Sequence, residues 1–266
     1  MASQFIKKIF QKILSRKIEI LSLITAALIW EFAAVFVVQN SFYLPSFYNV
    51  TSAFFNVIQS SVFYKDVGTS LYHFLIGFFY ALVIGIPIGV LMGWFPKIDK
   101  ALNPIVEIFR PIPPLAWIPF AIIWFKLTHG ASGFIIFMGM VFPIIVSTYF
   151  GFKNVPKIYV EAAKVLGSES NNRLIRYVAI PAAAPMVLSG IRTAMGVGWM
   201  CLAASEMFGV SDSGIGYKIW FYYGIQSMDH VVVYMLILGF IGLLLDWMFR
   251  TLLMNRILKW QKGTVV

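Results

Sequence analysis

The sequence predicts an all-α integral membrane protein with about six transmembrane helices, and three observations carry that prediction. The first is composition. The chain has 266 residues, of which 60% are hydrophobic and only 12% charged, where an ordinary soluble domain is about a quarter charged. That balance excludes a disordered chain, a disulfide scaffold and a soluble enzyme core. The second is the clustering of apolar residues into runs of roughly 20, the length that crosses the hydrocarbon core. They are too long, and too free of period-two alternation, for barrel strands. The third is an uneven distribution of Lys and Arg between the segments joining the runs.

The runs cover residues 20–38, 67–94, 101–127, 132–152, 185–208 and 231–253. Before the first, Phe5, Ile6, Ile9, Phe10, Ile13 and Leu14 share one helical face and Lys7, Lys8, Gln11, Lys12 and Arg16 the other. Residues 1–18 therefore read as an amphipathic helix lying in the membrane interface. No small-residue cleavage site follows, so this is not a signal peptide. Residues 19–65 form the first span and a long loop, 66–252 the main transmembrane domain, and 253–266 a basic tail.

The net charge of +10 reports topology, because cytoplasmic segments collect Lys and Arg. With the N-terminus inside, the outer segments hold only Lys65, Lys126 and Lys218, offset by Asp66, Asp212 and Asp229. Both termini are therefore expected in the cytoplasm.

Several segments are not simple spans. After Leu44-Pro45-Ser46, a turn signal, Val50, Phe54, Val57, Ile58 and Val62 suggest a short helix on the outer surface. Gly85, Gly89 and Gly93 fall at four-residue steps and offer a face for close helix approach; the alternative is chance in a Gly-rich chain. The run 101–127 contains Arg110-Pro111-Ile112-Pro113-Pro114, through which a regular helix cannot pass. Either the span is broken and faces a pathway, or an ordinary helix begins after Pro114.

Between the fourth and fifth runs, residues 153–181 are too short for a domain and too structured for a loop. Asn154 and Pro156 start a helix and Gly167 ends it in the left-handed conformation. A second helix, from about 171 to 180, is expected to stop at Pro181. A helix-turn-helix of this kind suits docking of a soluble partner.

Charged groups at membrane depth need a partner or water. Glu107 and Arg110 are spaced to pair on a helix. Arg192 reads as an interfacial residue reaching for phosphate, Asp246 as a partner of a cytoplasmic Lys, and Glu31 needs a partner of its own. His73, His129 and His230 read as polar residues at the outer interface, and Cys201 as an apolar filler. There is no phosphate-binding loop, zinc motif or nucleophile elbow. No catalytic residues, metal or cofactor are expected.

Glu161-Ala162-Ala163, with Gly167 and Pro181 after it, resembles the "EAA" loop of membrane subunits of prokaryotic ATP-binding-cassette importers. The interval from Gly167 to Pro181 is one residue longer than that family's usual pattern, which leaves the phase of the second coupling helix open. Residues 70–89, the stretch from Phe109 to Pro119, and Ala204-Ser205-Glu206-Met207-Phe208-Gly209 with Ser213 to Tyr217 resemble the nitrate, sulfonate, taurine and bicarbonate branch. The resemblance implies a type I importer permease fold in the cytoplasmic (inner) membrane of a prokaryote. It implies coupling to two separate ATPase subunits through Glu161, Ala162, Ala163, Gly167 and Pro181. It further implies a second permease copy, an extracytoplasmic binding protein, ATP bound by the partner alone, and alternating access. Arg110, Glu206, Trp199 and Met200 are the candidate residues of the translocation path or its gate. The rival reading is a secondary transporter or channel, which predicts inverted repeats and midplane ion sites; neither is visible.

Overall fold

The computed structural model describes residues 17–168 and 170–257. The expected interfacial helix and the end of the basic tail lie outside the described residues. Contacts divide the described residues into two units, one from 17–61 with Phe221–Val233, the other from Val62–Trp220 with 234–257.

In the first unit, α1 (Lys17–Phe32) continues as a π-turn over Ala33–Val38, and the apolar run Leu21–Val38 is long enough to cross a membrane. The short helix expected after Pro45 is α2, Phe47–Gln59, with Val50, Ala53 and Val57 buried. Ser46 caps it by accepting from Asn49 N. Glu31 finds its partner here: its carboxylate accepts from Phe47 N at 2.6 Å, where the helix N-terminus favours negative charge.

The second unit is built around α6, His129–Lys153, the most buried of the candidate spans. On one side lies α3, Ser61–Trp94. A Cβ built on Gly77 would come within 2.5 Å of Ile136, one on Gly85 within 2.9 Å of Ile144, on Gly89 within 2.5 Å of Thr148, and on Gly93 within 2.6 Å of Phe152. The pairs advance together, so the two helices run parallel with α3's small-residue face against α6. On the other side lies α9, Ile180–Met207. Gly139 faces Cys201, Ser147 faces Gly190 and Gly151 faces Ala183, so this pair is antiparallel. In lipid, apolar surface is not driven together by water, and close van der Waals packing of small residues takes over that part.

The Pro-rich run is a broken span. α4 (Pro96–Phe109) is followed by a 3₁₀ turn over Pro114–Trp117 and by α5 (Ile118–Phe125), and the two halves are bent by 88°. Of the two sequence alternatives, the break in the span is what the structure has, and the first half starts at Pro96 rather than 101. Pro113 and Pro114 lack the N–H groups that a continuous helix needs.

The segment after α7 (Lys157–Val165) differs from expectation. The helix α8 (Asn171–Leu174) does not end at Pro181; it passes through a π-turn, Ile175–Ala179, directly into α9, giving one helical run over Asn171–Met207. Pro181 falls at the start of α9, where the wider turn before it relieves the clash of a proline ring with the preceding carbonyls. The described residues end with α10 (Ile215–Gly224), a helix not assigned from the sequence, then α11 (Met228–Met248), a π-turn over Phe249–Met254 and α12 (Asn255–Ile257). Among the described residues, five helical runs are long and apolar enough to span a membrane, or six with the bent pair.

Gly89→Leu should destabilise the protein by about 1–3 kcal/mol through overpacking against Thr148. Gly68, with nothing within 4 Å of its Cβ position, should accept Ala at no cost or with a gain of up to about 1 kcal/mol. Thermal unfolding in detergent checks both; equal transition temperatures for Gly89→Leu and wild type would mean that the helices do not approach this closely.

Candidate functional site

Three features of the structure bear on function: a buried polar network, a cavity at the proline break and an exposed helix between two spans.

The network centres on Glu206, at the end of α9, with no exposed surface. Ser70 donates its hydroxyl to both carboxylate oxygens at 2.9 Å, and Gly216 N donates to Oε2 at 2.9 Å. His73 Nδ1 lies 2.8 Å from Oε1, and His73 Nε2 lies 2.7 Å from His129 Nδ1. With the carboxylate as acceptor, Nδ1–H of His73 donates to it and Nε2 accepts from His129. Ile215 N donates to Ser70 Oγ and Gly214 N to Asp66. The chain between Glu206 and α10 is thereby tied to α3 by its backbone amides. Gly214 has φ +128°, and a Cβ there would meet the Glu206 carboxyl at 2.5 Å, so the turn requires glycine twice over. His73 is thus a buried ligand of a carboxylate, not the interfacial residue the sequence suggested, because Asp66, Ser70 and His73 share one face of α3 and Glu206 sits opposite. That spacing of four and three was a readable signal; the partner 133 residues away was not.

The cavity, about 390 Å³, is lined by Arg110, Pro114, Pro143, Ser147, Thr193 and neighbouring apolar groups from α6 and α9. Arg110 caps the C-terminus of α4 and makes no ion pair among the described residues. Glu107 instead accepts from Asn103 at 2.8 Å, so the expected Glu107–Arg110 pair does not form. Trp199 is buried, with its indole N–H donating to Leu238 O at 2.9 Å and its ring against Phe74. Met200 is 75% exposed, on an open face of α9 shared with Ser189, Arg192, Thr193 and Gly196. Arg192 neither reaches for phosphate nor leaves Asp246 to a cytoplasmic Lys. The two form a bidentate pair, Nε to Oδ1 at 2.5 Å and Nη2 to Oδ2 at 2.8 Å. The residues expected to form the path therefore divide: Arg110 and Met200 are exposed, while Glu206 and Trp199 are buried.

The exposed helix is α7. Glu161 and Ala162 are exposed and Ala163 half-buried, and α7 packs against the π-turn before α9. Gly167 has φ +87° with nothing within 4 Å of its Cβ position, and its N–H donates to Lys164 O. The sequence thus located the left-handed cap correctly. Val165 and Leu166, 88% and 87% exposed, leave an uncovered apolar tip that sequence patterning did not single out.

A helical bundle whose described residues hold five or six runs long and apolar enough to span a membrane, with an exposed helix between two of them, has the architecture of a membrane subunit of a larger assembly. Residues 85–254 match the family model described as "binding-protein-dependent transport system inner membrane component". A putative ABC transporter permease protein of Methanocaldococcus jannaschii is 38% identical over 83% of this chain and 84% of its own length. The bicarbonate transport system permease protein CmpB of Synechococcus elongatus is 33% identical over 74% and 72%. The taurine transport system permease protein TauC of Escherichia coli is 30% identical over 76% and 72%. Among solved structures, a chain of the inward-facing MetNI methionine ABC transporter superposes with a TM-score of 0.58 at 22% identity, covering 71% of this chain and 95% of that one. The chain belongs to the binding-protein-dependent transport family and is a permease subunit of an ABC importer.

Glu206→Ala should cost about 3–5 kcal/mol, because it strands His73, Ser70 and the Gly216 amide around a buried void. Glu206→Gln, which keeps the shape, should cost less. Protease sensitivity of the chain between Glu206 and α10 reports the loss directly; unchanged cleavage in the Ala variant would show that the network does not hold this segment.

Proposed function

We infer that this chain imports a small oxyanion, of the nitrate, sulfonate, taurine or bicarbonate class, by alternating access driven by two separate ATPase subunits that alone bind ATP. The observation that carries this reading is α7: a capped helix, set between two spans, that ends in the uncovered pair Val165 and Leu166. An apolar tip flanked by Glu161 and Lys164 is suited to a groove on a soluble partner. Closure of the ATPase pair pulls α7, and α6 and α9, which flank it in the chain, reorient. Pro181 belongs to this coupling segment as the point where the π-turn hands over to α9.

Orientation follows the basic residues, with α7 and both termini on the cytoplasmic side of a prokaryotic inner membrane. The extracytoplasmic binding protein then delivers solute at the chain before Asp66 and after Glu206. The path is the cavity beside Arg110. Cargo class is supported by two considerations: the relatives named for bicarbonate, nitrate and taurine carriers, and a guanidinium that has no carboxylate partner among the described residues. Glu206 and Trp199 act on the path indirectly, by fixing the helices around it. The pair Arg192–Asp246, about 40% exposed on each side within a span, is costly against lipid; a second permease copy across this face of α9 removes that cost, and a homodimer completes the path.

Two outcomes test the reading. Replacing Val165 and Leu166 together by Asp should release the ATPase subunits on co-purification, with affinity lowered by more than tenfold, as expected for central apolar anchors. Gly167→Val, strained by about 1–2 kcal/mol at positive φ, should retain the ATPase yet lower uptake. A double Asp variant that still holds its ATPase and transports normally would refute the assignment of α7.

A further inference from the structure

Beside the start of α4, the C-terminal turn of α6 carries a polar cluster that none of the features above uses. Tyr149 donates its hydroxyl to Asp99 Oδ2 at 3.0 Å, Lys153 Nζ lies 3.3 Å from the same oxygen, and Lys153 also contacts the Tyr149 hydroxyl. Asp99 stands in the first turn of α4 and Lys153 in the last turn of α6, so each charge also complements the dipole of its own helix. The other carboxylate oxygen, Asp99 Oδ1, is buried without a hydrogen-bond partner. A buried acceptor left open is costly.

Its position gives it leverage. α6 ends at Lys153, and α7 begins at Lys157. α4 is about 21 Å long by helical rise. Ile98, Leu102 and Val106 lie against the core, and Arg110 caps the far end at the cavity. One end of α4 is therefore fastened next to the proposed ATPase-docking helix, and the other ends at Arg110, which lines the cavity and has no ion-pair partner among the described residues. After Arg110 the chain turns through 88°, so α4 ends at the cavity and does not continue as one straight helix into α5.

We propose that Asp99, Tyr149 and Lys153 form a latch that transmits movement of α7 along α4 to Arg110. This rests on the reading of α7 as the coupling helix and of the cavity as the path. The three are positioning residues; none touches cargo or nucleotide. A simple structural clamp would lower stability when broken without altering the transport obtained per ATP.

The test uses the complete importer in proteoliposomes, with its ATPase subunits and binding protein. Tyr149→Phe removes one oxygen and Asp99→Asn removes the charge; the exchange Asp99→Lys with Lys153→Asp restores a pair. A reporter cysteine, Thr193→Cys, is placed at the cavity after Cys201→Ala removes the only native cysteine. Expected are ATPase rates within about twofold of wild type, uptake per ATP lowered roughly three- to tenfold in the single variants, as the loss of one or two hydrogen bonds dictates, and recovery in the exchange. The reporter should change its reaction rate with a small thiol reagent when ATP is added, and should lose that response in Tyr149→Phe and Asp99→Asn. A full ATP response and unchanged uptake per ATP in both variants would overturn the latch alone. A reporter that never responds, with the latch intact, would overturn the path reading and the latch together. If Asp99→Asn fails to assemble, Tyr149→Phe carries the same comparison.

Discussion

The second unit depends on how closely α6 can be approached. Glycines on α3 let one helix meet it in parallel, and the contacts of Gly139, Gly151 and Gly190 let α9 meet it antiparallel. Where lipid surrounds the helices, apolar side chains gain little by leaving it, so contact distance sets the strength of packing. Every other feature of this unit is referred to that three-helix core. The Glu206 network joins α3 to the far end of α9, the latch joins α4 to the last turn of α6, and the cavity opens where the proline break stands off from α6 and α9.

The same environment governs the charges. An ionised group in a span is tolerated when it is paired or wet, and most of those in this chain are paired. Glu31 accepts a helix-terminal amide, Glu206 receives a hydroxyl, an amide and a histidine, and Arg192 grips Asp246. Arg110 departs from this pattern and lines a cavity. That a cation has no ion-pair partner among the described residues, where the other charges are matched, is what supports the proposal that the cavity receives an anion.

Much of this was legible in the sequence, for local reasons. The spans, the short helix after Ser46 and the cap at Gly167 follow from hydropathy, side-chain capping and the φ that only glycine adopts readily. The glycines at 85, 89 and 93 marked a contact face, though not the helix they would meet. The segment proposed for coupling was singled out from Glu161, Ala162, Ala163 and Gly167 as a motif. What went wrong went wrong through contacts distant in sequence. His73 was placed at the interface because its carboxylate partner is remote, and Arg192 and Asp246 were given separate partners because 54 residues part them. The helix across Pro181 was cut short because a proline alone does not reveal that a π-turn precedes it.

The sequence by itself determined that the chain is helical, crosses a membrane about six times, and exposes a capped helix between two spans. These properties reside in runs of neighbouring residues and in the covalent limits of proline and glycine. Only the tertiary structure decided that the Pro-rich span bends through 88° instead of starting late, that Glu206 anchors a segment from within instead of lining an opening, and that Arg110 lacks the Glu107 beside it in sequence. Each of those outcomes turns on which helix stands opposite. That is set by the close packing of α3 and α9 on α6, a relation among residues about 30 to 60 positions apart that no local pattern encodes.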